Sequence, residues 1–573
     1  MTRPPLRRLG ALLGIFVVAM TLILTRLVLL QIKDAEALVD RGENQRLSTV
    51  PLHAERGSIL DRYGREMAIS LEARAVYVDP RYVVDPAATA DKLAPLLEMR
   101  PMEIQAKLME SGHFVYLKRQ VDEVVADRIE GLELPGIGFL RESKRYYPSG
   151  AWGAPQVVGI HGSEDCPTGC GGLELTFDDV LAGVDGERTQ EIDPGGRPIP
   201  QGVSVVRPAV PGQDVMTTID PELQYQAQVA LEHAVDTNDA KGGTVIMMNP
   251  KTAEIYAMAT YYPPAKKKDV QESVERTTNP AVTNVYEPGS VNKVITASAA
   301  VQEGAVDLRE VFHVYDSIDV YDYTIHDAES HGMERMMLGD IITHSSNVGT
   351  IMVAKQVGSE EMASYLAKFG YGQPTGVGLP GESGGILPQM YEWSGTSMAT
   401  IPIGQGVSVT PLQMVNVYAT VANDGVWTQP QIVKGTIDGG GVFHPAPEPE
   451  RRRVISPESA AVVTGMLSKV VTEGTGTNAQ IPGYWVAGKT GTAMVPSPMG
   501  GYTNKFVGSF IGYLPASDPE VVIGVIIDEP SVQYYGGTVA APVFQQLAKQ
   551  AIARLRIPPG DRPGLPPSAM GKR

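Results

Sequence analysis

A serine and a lysine three residues apart, Ser290 and Lys293, lie in the segment EPGSVNK directly after a Pro-Gly pair. The apolar stretch that follows predicts a helix, on which the two side chains would share a face and could touch. A serine becomes a nucleophile when a neighbouring base takes its proton, and a lysine can be that base if its pKa is lowered. Ser-x-x-Lys alone is a weak signal, and by itself it is better explained by a capping serine at a helix start.

Two later segments carry groups that could complete such a site. Ser345 and Asn347 form a Ser-x-Asn in HSSNVG, where a hydroxyl and an amide could relay a proton and hold the lysine. The other segment is VAGKTGTA, which contains Lys489, Thr490, Gly491 and Thr492. Glycines beside Lys-Thr let a ligand approach a strand closely, and the lysine and hydroxyls could bind a carboxylate. Each motif is common alone, but the three in this order form a specific pattern.

That ordered set occurs in β-lactamases and penicillin-binding proteins, and the chain as a whole resembles a class B penicillin-binding protein. RGSILDRYGREMA (56–68) and GGLELTFDDVLAGVDGER (171–188) are similar to the two signatures of the family's membrane-proximal domain. Residues 243–259 and 534–547, together with the segment around Ser290, resemble its transpeptidase domain. The resemblance therefore extends from the first apolar segment almost to the end of the chain.

Within this resemblance, EPG at 287–289 and the stretch 474–493 look closest to the septal, cell-division branch, and the elongation branch is the near alternative. The chain departs from the family at two places. Val291-Asn292 stand where a threonine and an apolar residue are expected, and the loop with Lys266–Lys268 is unusually charged. We interpret those three lysines as a solvated surface, with a basic patch for an anionic substrate as the alternative. Neither departure removes a catalytic atom.

The resemblance implies a peptidoglycan D,D-transpeptidase that crosslinks stem peptides ending in D-Ala-D-Ala through an acyl-serine. The implied catalytic residues are Ser290, Lys293, Ser345 and Asn347, and the implied substrate-binding residues are Lys489, Thr490, Gly491 and Thr492. The backbone N–H groups of Ser290 and Thr492 would form the oxyanion hole. Lys489 next to Lys293 would lower the pKa of the base. β-Lactams would acylate Ser290, and neither a metal ion nor an organic cofactor is expected.

Residues of the membrane-proximal signatures also match the family. They are Arg56, Asp61, Arg62, Gly172 and Glu174. We interpret them as structural, as buried ion pairs and turns that hold a pedestal domain to the catalytic domain. The resemblance further implies protein partners for the anchor and the pedestal, namely a membrane-embedded glycan polymerase of the SEDS type and other division proteins.

An N-terminal apolar segment determines the expected compartment. Arg3, Arg7 and Arg8 precede an apolar run from Leu9 to Ile32 that is interrupted by Arg26. As one helix it would be about 36 Å long, enough to span a bilayer. The preceding arginines favour a cytoplasmic N-terminus, so the rest of the chain would lie outside the cytoplasm of a bacterial cell as a single-pass membrane protein. The alternative is a signal peptide cleaved near AEA, but the run is longer than a usual signal core.

The two cysteines, Cys166 and Cys170, lie in DCPTGC. Outside the cytoplasm a pair this close favours a small structural disulfide loop. Metal binding together with His161 or Asp165 is the alternative, and no further ligand cluster supports it.

The arrangement of predicted elements favours an α+β fold. Strand patterns near 243–259 and 487–528 enclose a largely helical centre, which indicates an antiparallel sheet flanked by helices, as in the serine β-lactamase-like transpeptidase domain. The first pattern consists of two apolar runs split by Asn249 to Thr252, which predicts a β-hairpin. We predict a cytoplasmic stub and transmembrane helix over 1–33, an α+β pedestal over 34–215, a transpeptidase domain over 216–557 and a disordered tail over 558–573. Pro221 after Asp220 predicts the start of the first catalytic-domain helix.

Composition and charge exclude some functions. The chain has 573 residues with a net charge of −17, so nonspecific binding to nucleic acid is not expected. A D,D-carboxypeptidase or β-lactamase would use water in place of the acceptor amine, but the anchor and pedestal argue against a secreted β-lactamase. A β-lactam sensor would need cytoplasmic signalling parts, and only about eight residues precede the apolar run. An inactive structural member is disfavoured because every motif residue is intact.

Overall fold

The structure is a computed structural model that describes residues 6–33, 42, 46–162, 166, 168–192, 199–202, 204–263, 278–321 and 323–561. The Lys266–Lys268 loop and the predicted disordered tail beyond residue 561 lie outside the described residues. The chain divides into two units, the first formed by Met1–Glu55 with Ala182–Gly212 and the second by Arg56–Leu181 with Gln213–Arg573.

The described α-helices are α1 (Leu6–Val28), α2 (Pro86–Leu97), α3 (Pro101–Leu108), α4 (Glu123–Glu130), α5 (Pro155–Val158), α6 (Gly172–Thr176), α7 (Asp178–Leu181), α8 (Pro221–Thr237), α9 (Pro280–Thr283), α10 (Lys293–Gln302), α11 (Leu338–Thr343), α12 (Asn347–Val357), α13 (Ser359–Lys368), α14 (Ser397–Thr400), α15 (Pro411–Ala422), α16 (Pro457–Thr472), α17 (Gly536–Val539) and α18 (Ala541–Leu555).

The described strands are β1 (Leu47–Leu52), β2 (Ile59–Leu60), β3 (Glu66–Val78), β4 (Val115–Asp122), β5 (Ile137–Tyr146), β6 (Gly186–Glu191), β7 (Ser204–Arg207), β8 (Asp214–Thr217), β9 (Gly242–Met248), β10 (Ile255–Tyr261), β11 (Phe312–Val314), β12 (Ser317–Val320), β13 (Tyr323–His326), β14 (Glu334–Met336), β15 (Val426–Thr428), β16 (Val433–Ile437), β17 (Phe443–Pro445), β18 (Arg451–Arg453), β19 (Ala487–Pro496), β20 (Tyr502–Leu514) and β21 (Val521–Asp528).

The first unit contains the predicted apolar helix. Helix α1 continues into one π-helical turn at Leu29–Lys33, and the apolar segment Arg8–Ile32 has a mean hydropathy of 2.5. Its side chains are exposed, and its length and composition are sufficient to cross a membrane. The same unit holds a three-stranded antiparallel sheet in the order β1-β6-β7.

The centre of the second unit is a five-stranded sheet in the order β10-β9-β21-β20-β19, in which every neighbouring pair is antiparallel. Successive side chains of a strand point to opposite faces. Val245 and Met247 of β9 accordingly pack with helices α8 and α18, while Ile246 and Met248 pack with α10 and α15. Helices thus cover both faces, which confirms the predicted α+β class with an antiparallel sheet flanked by helices.

Two local predictions about this unit are also confirmed. The segment split by Asn249 to Thr252 forms the β9–β10 hairpin, whose turn is held by Asn249 Oδ1 accepting from the N–H of Lys251 and of Thr252. Helix α8 begins as predicted, because Asp220 caps it by accepting from the N–H of Glu222 at 3.0 Å.

A second sheet in the same unit has the order β17-β16-β8-β2-β3-β4, with β5 also paired to β3. Its pairs are antiparallel except β2 with β8, which is parallel. Strand β8 therefore joins strands from the first third of the chain to β16 and β17. The boundary that we predict between 215 and 216 falls within β8, and it stays a prediction.

Candidate active site

Ser290 lies in a 3₁₀ turn, Gly289–Asn292, that runs directly into α10 at Lys293. Side chains three residues apart are eclipsed in a 3₁₀ helix, so the serine and the lysine share one side of this turn. Gly289 has a φ of +57°, and a Cβ at this position would lie only 2.9 Å from the Cβ of Ala493. Glycine is needed for both reasons, and it lets the turn that carries Ser290 pack directly against strand β19.

Lys293 is fully buried, and its ammonium group is directed at the Ser-x-Asn segment. Its Nζ donates to Ser345 O at 2.6 Å, to Asn347 Oδ1 at 2.7 Å and to Ser345 Oγ at 3.4 Å. Burial lowers the pKa of Lys293 to about 7, although the carboxylate of Asp327 opposes part of this effect. A substantial fraction of this amine is therefore unprotonated at neutral pH, as a base for Ser290 requires.

Ser345 lies between the two lysines of the site. Its Oγ accepts a hydrogen bond from Lys489 Nζ at 2.9 Å, while its carbonyl accepts from Lys293. Its φ of +60° is unusual for a residue other than glycine, and such backbone strain is concentrated at functional sites. One serine thus connects the Ser-x-x-Lys turn to the Lys-Thr-Gly strand, so the three sequence motifs meet at one place.

The Lys-Thr-Gly-Thr run lies in β19, an edge strand of the five-stranded sheet. Thr490 Oγ1 is 2.6 Å from the hydroxyl of Thr475, and Thr492 Oγ1 accepts from the N–H of Gly536 at 3.1 Å. Lys489 is completely buried. The strand therefore carries a buried ammonium group 3.4 Å from the hydroxyl of Thr490, and such a combination of charge and hydroxyl suits an anionic group of a ligand.

Lys293 and Lys489 both have a lowered pKa. Burial is the main cause that lowers the pKa of both, and the charge of Lys293 further lowers the pKa of Lys489. The expectation that Lys489 lowers the pKa of Lys293 needs a correction, because the lowering at Lys293 comes from desolvation and the charge effect acts in the other direction, from Lys293 on Lys489. With Ser345 Oγ as a shared acceptor, two ammonium groups in this space are unfavourable, which favours a neutral amine at one of them.

The two residues that depart from the family pattern have structural roles. Val291 lies beside the strand, since a Cβ at Gly491 would be 3.1 Å from Val291 Cγ1. Asn292 is completely buried, donates its Nδ2 to Ile401 O at 2.9 Å and accepts from Tyr371 OH at 2.7 Å. The amide of Asn292 therefore has its hydrogen bonds satisfied within the core.

The membrane-proximal signatures meet in a buried ion cluster. Glu174 is completely buried, and its two carboxylate oxygens accept from Arg56 Nε at 2.9 Å and from Arg145 Nε at 2.7 Å. Arg56 also bonds the carbonyl of Glu174 at 2.9 Å and pairs with Asp178. Gly172 precedes this carboxylate with a φ of +51°, in the left-handed region. Each charge has a partner of opposite sign, which agrees with the structural interpretation of Arg56 and Glu174.

Asp61 and Arg62 also have structural surroundings. Asp61 Oδ1 accepts from the N–H of Tyr63 at 2.7 Å, which closes a turn. The guanidinium of Arg62 lies over the ring of Tyr256 at 4.5 Å and pairs with Glu254 at 3.3 Å. Arg62 therefore connects the 56–68 signature to the β9–β10 hairpin of the catalytic sheet.

Cys166 and Cys170 are joined by a disulfide bond, with Cα atoms 5.9 Å apart. Asp165, the other part of the alternative metal site, lies outside the described residues. Across the described ranges, no group of three or more His, Cys, Asp or Glu side chains could hold a metal ion.

Two residues of these networks were not predicted from the sequence. Arg145 provides the second cation for Glu174, and Asp327 contacts the start of the helix that carries Asn347. The available signals were a cation in an otherwise strand-like segment and an aspartate between two of the motifs. Neither signal specifies a partner, because both contacts are made between segments distant in the sequence.

The fold and the site together define a serine acyltransferase of the kind that penicillins acylate. Residues 243–549 match the penicillin-binding protein transpeptidase domain, and residues 51–217 match the penicillin-binding protein dimerisation domain. The chain therefore belongs to the class B penicillin-binding proteins, as its sequence predicts.

Relatives resemble the chain over nearly its whole length. Penicillin-binding protein PbpB of Mycolicibacterium smegmatis is 37% identical over 97% of this chain and 91% of that protein. Peptidoglycan D,D-transpeptidase FtsI of Escherichia coli is 34% identical over 96% of this chain and 92% of that protein. The crystal structure of penicillin-binding protein 3 from Mycobacterium tuberculosis in complex with aztreonam has a TM-score of 0.69 and 32% identity, covering 90% of this chain and 99% of that one.

Proposed function

We propose that this protein crosslinks peptidoglycan stem peptides in the septal wall of a dividing bacterium, with Ser290 as the acylated nucleophile. Membership of the class B penicillin-binding proteins makes it a serine-type peptidoglycan D,D-transpeptidase. The residue roles, the septal pathway and the protein partners are the proposal. The observation that carries it is the position of Ser345, which is hydrogen-bonded to both Lys293 and Lys489.

In the first step, neutral Lys293 takes the proton of Ser290, and Ser290 Oγ attacks the carbonyl of the penultimate D-Ala. The lowered pKa of Lys293 supplies a base at neutral pH. The bonds of Lys293 go to Ser345 and Asn347, and catalytic hydrogen bonds commonly tighten only when substrate is bound. Asn347 holds the lysine in place.

The tetrahedral intermediate places its negative oxygen between the backbone N–H groups of Ser290 and Thr492, which act as the oxyanion hole. Ser345 Oγ passes a proton to the leaving amine of the terminal D-Ala. Lys489, Thr490 and Thr492 bind the carboxylate of that residue, for which β19 supplies an ammonium group and two hydroxyls. Gly491 keeps the strand close to the substrate backbone.

The acyl-enzyme is then attacked by an amine from a neighbouring stem peptide, which forms the crosslink and releases Ser290. A β-lactam acylates the same serine, because its strained amide occupies the place of the D-Ala-D-Ala bond. The structure of the related penicillin-binding protein 3 from Mycobacterium tuberculosis in complex with aztreonam is consistent with this step.

The septal assignment is supported by the similarity to FtsI of Escherichia coli and to PbpB of Mycolicibacterium smegmatis. The alternative is elongation of the side wall. Depletion of the protein in its own host distinguishes the two: filamentous cells with unfinished septa are expected, and rounded or bulging cells would contradict the septal role. The proposed partners are a SEDS-type glycan polymerase and other division proteins.

The apolar segment Arg8–Ile32 supports a location in the inner membrane as a single-pass protein with its catalytic domain outside the cytoplasm. We propose the domain limits given by the sequence, with the anchor at 1–33, the pedestal at 34–215 and the transpeptidase domain at 216–557. A protease added outside intact spheroplasts is expected to remove everything beyond the anchor. Full protection would contradict this orientation.

The test of the activity is covalent labelling of the full-length protein with a fluorescent penicillin. Wild-type protein should be labelled, and Ser290→Ala should not. The matched control is Ser298→Ala, which alters a buried serine of α10 outside the proposed site and should label like the wild type. A folded wild-type protein that takes no label, or a label that survives in Ser290→Ala, would overturn the assignment of the nucleophile.

A further inference from the structure

Asp327 lies just after β13 and is almost completely buried, with 6% of its side chain exposed. Its carboxylate accepts hydrogen bonds from three donors at the start of α12. They are the backbone N–H of Asn347, the backbone N–H of Val348 at 3.0 Å, and Ser346 Oγ at 2.7 Å. The first N–H groups of a helix have no partner inside the helix, and a carboxylate there is also favoured by the helix dipole.

The helix that Asp327 holds begins with Asn347, the last residue of the Ser-x-Asn motif. Asn347 is held twice by neighbouring residues of one segment, since its backbone N–H donates to Asp327 and its Nδ2 donates to the carbonyl of His326 at 2.8 Å. With its backbone and amide fixed, Asn347 presents Oδ1 to Lys293 Nζ at 2.7 Å. A chain of hydrogen bonds therefore runs from Asp327 through Asn347 to the proposed base.

Ser345 depends on the same support. Its left-handed backbone, with a φ of +60°, costs free energy and persists where the neighbouring structure holds it. The next residue, Ser346, is tied on one side to Asp327 and on the other to the N–H of Gly349 at 2.9 Å. This fixes the orientation in which Ser345 meets both lysines.

Asp327 also has an electrostatic effect on the site. Its negative charge raises the pKa of Lys293, against the larger opposite effect of burial. Other charged or titratable groups around this network include His331, whose Nε2 is 3.1 Å from Asp327 Oδ2, and Glu334, which acts on His331. Lys489 lies on the far side of Ser345, and His326 precedes Asp327 and accepts from Asn347 through its carbonyl. Loss of the Asp327 charge is therefore expected to lower the pKa of Lys293 further.

We infer that Asp327 is a positioning residue for acyl transfer, which holds Ser345 and Asn347 in the geometry that orients Lys293 towards Ser290. This inference rests on the proposed roles of Ser290 and Lys293. Its test must therefore separate a failure of the inference from a failure of the proposed function. A purely structural cap would stabilise the helix without any effect on the rate or the pH dependence of the acylation step.

The test measures acylation of the full-length protein by a fluorescent penicillin as a time course at several pH values. The final amplitude reports the fraction of molecules with a competent site, and the second-order rate constant reports the site geometry in those molecules. The variants are Asp327→Asn, Asp327→Glu and the control Asp319→Asn. Asp319 lies in β12, which pairs with β13, and it accepts a hydrogen bond from Thr324 rather than from α12.

For Asp327→Asn, we expect the rate constant of the competent fraction to fall about tenfold or more, and its rise with pH to shift to lower pH. Asp327→Glu keeps the charge, so it should restore the pH dependence and part of the rate. Asp319→Asn should match the wild type. Because both the glutamate variant and the amplitude are measured, poor folding of Asp327→Asn alone cannot imitate this result.

Two results would overturn the inference while leaving the proposed function intact. One is a wild-type rate constant and pH profile in Asp327→Asn, and the other is a lower amplitude with an unchanged rate constant. If wild-type protein takes no label that depends on Ser290, the proposed function fails and the inference fails with it.

Discussion

Two clusters of buried charged side chains in the described part of the chain are built in opposite ways. In the pedestal, Glu174 lies between Arg56 and Arg145 with direct hydrogen bonds to both. At the catalytic site, Lys293 and Lys489 are equally buried, but they donate to neutral oxygens of Ser345, Asn347 and Thr490. A list of buried charges alone would not separate the two clusters.

The difference between the two clusters is in what burial does to each charge. Directly paired charges of opposite sign offset each other's cost of burial, and removing one partner leaves the other uncompensated. Like charges that are solvated only by neutral dipoles change their pKa instead, as the lowered pKa values of both lysines show. The pedestal cluster is therefore expected to determine stability, and the catalytic cluster to determine reactivity.

The largest expected effect is that of Lys293→Met, which tests whether this lysine determines reactivity rather than stability. We expect the acylation rate constant to fall about 10³-fold, because Ser290 loses its base. The free energy of unfolding should stay the same or increase, since a desolvated ammonium group is replaced by an apolar side chain. Stopped-flow acylation and denaturant unfolding measure the two quantities. A strong loss of stability would mean that this lysine is structural as well.

The reciprocal change is Glu174→Gln. Two buried guanidinium groups would lose their common carboxylate, so we expect about 3–5 kcal/mol of destabilisation. The molecules that remain folded should be acylated at the wild-type rate. Chemical unfolding and a labelling time course test this, and the control is Asp178→Asn, whose carboxylate is one-third exposed and should cost far less. A slower rate in the folded fraction of Glu174→Gln would show that the pedestal affects the chemistry.

The pH dependence of the acylation rate and of the stability provides a further test of the role of Lys293. Because neutral Lys293 is the proposed base and its pKa is lowered to about 7, the acylation rate should rise roughly tenfold per unit below about pH 7 and level off above it. A lysine depressed in the folded state binds fewer protons than in the unfolded chain, so its contribution to stability increases between about pH 7 and about pH 10.

The measurement is the acylation rate constant and the unfolding midpoint of the wild type at matched pH values. Lys293→Met serves as the reference, in which the pH dependence of the rate should disappear and the rise of stability with pH should become smaller, since Lys489 keeps a pKa lowered by burial. A rate that is flat across neutrality in the wild type would contradict a lysine base.

Several secondary-structure elements and the three motifs of the candidate site were predictable from the sequence. The hairpin β9–β10, the cap of α8 at Asp220 and the apolar helix α1 follow from local patterns of hydrophobicity and turn residues. The three motifs identify the site because nucleophile, base and carboxylate ligands need particular side chains. Their meeting point at Ser345 agrees with that prediction.

The rest depends on contacts that local patterns do not contain. Arg145 and Asp327 are single charges whose partners lie in other segments, so no spacing rule could pair them with Glu174 or α12. The 3₁₀ turn at Ser290 requires the close approach of Ala493, which is likewise distant in the chain. The same limit applies to β8, whose pairing with both β2 and β16 cannot be read from the sequence of β8.

The strand order of the catalytic sheet has a consequence for protein synthesis. Strand β9 pairs with β21, so β19 and β20 join the sheet only through a strand that ends at Asp528. On the ribosome, Ser290 emerges long before the residues that complete its surroundings. A nascent or truncated chain that ends before β21 therefore holds its serine without an assembled site.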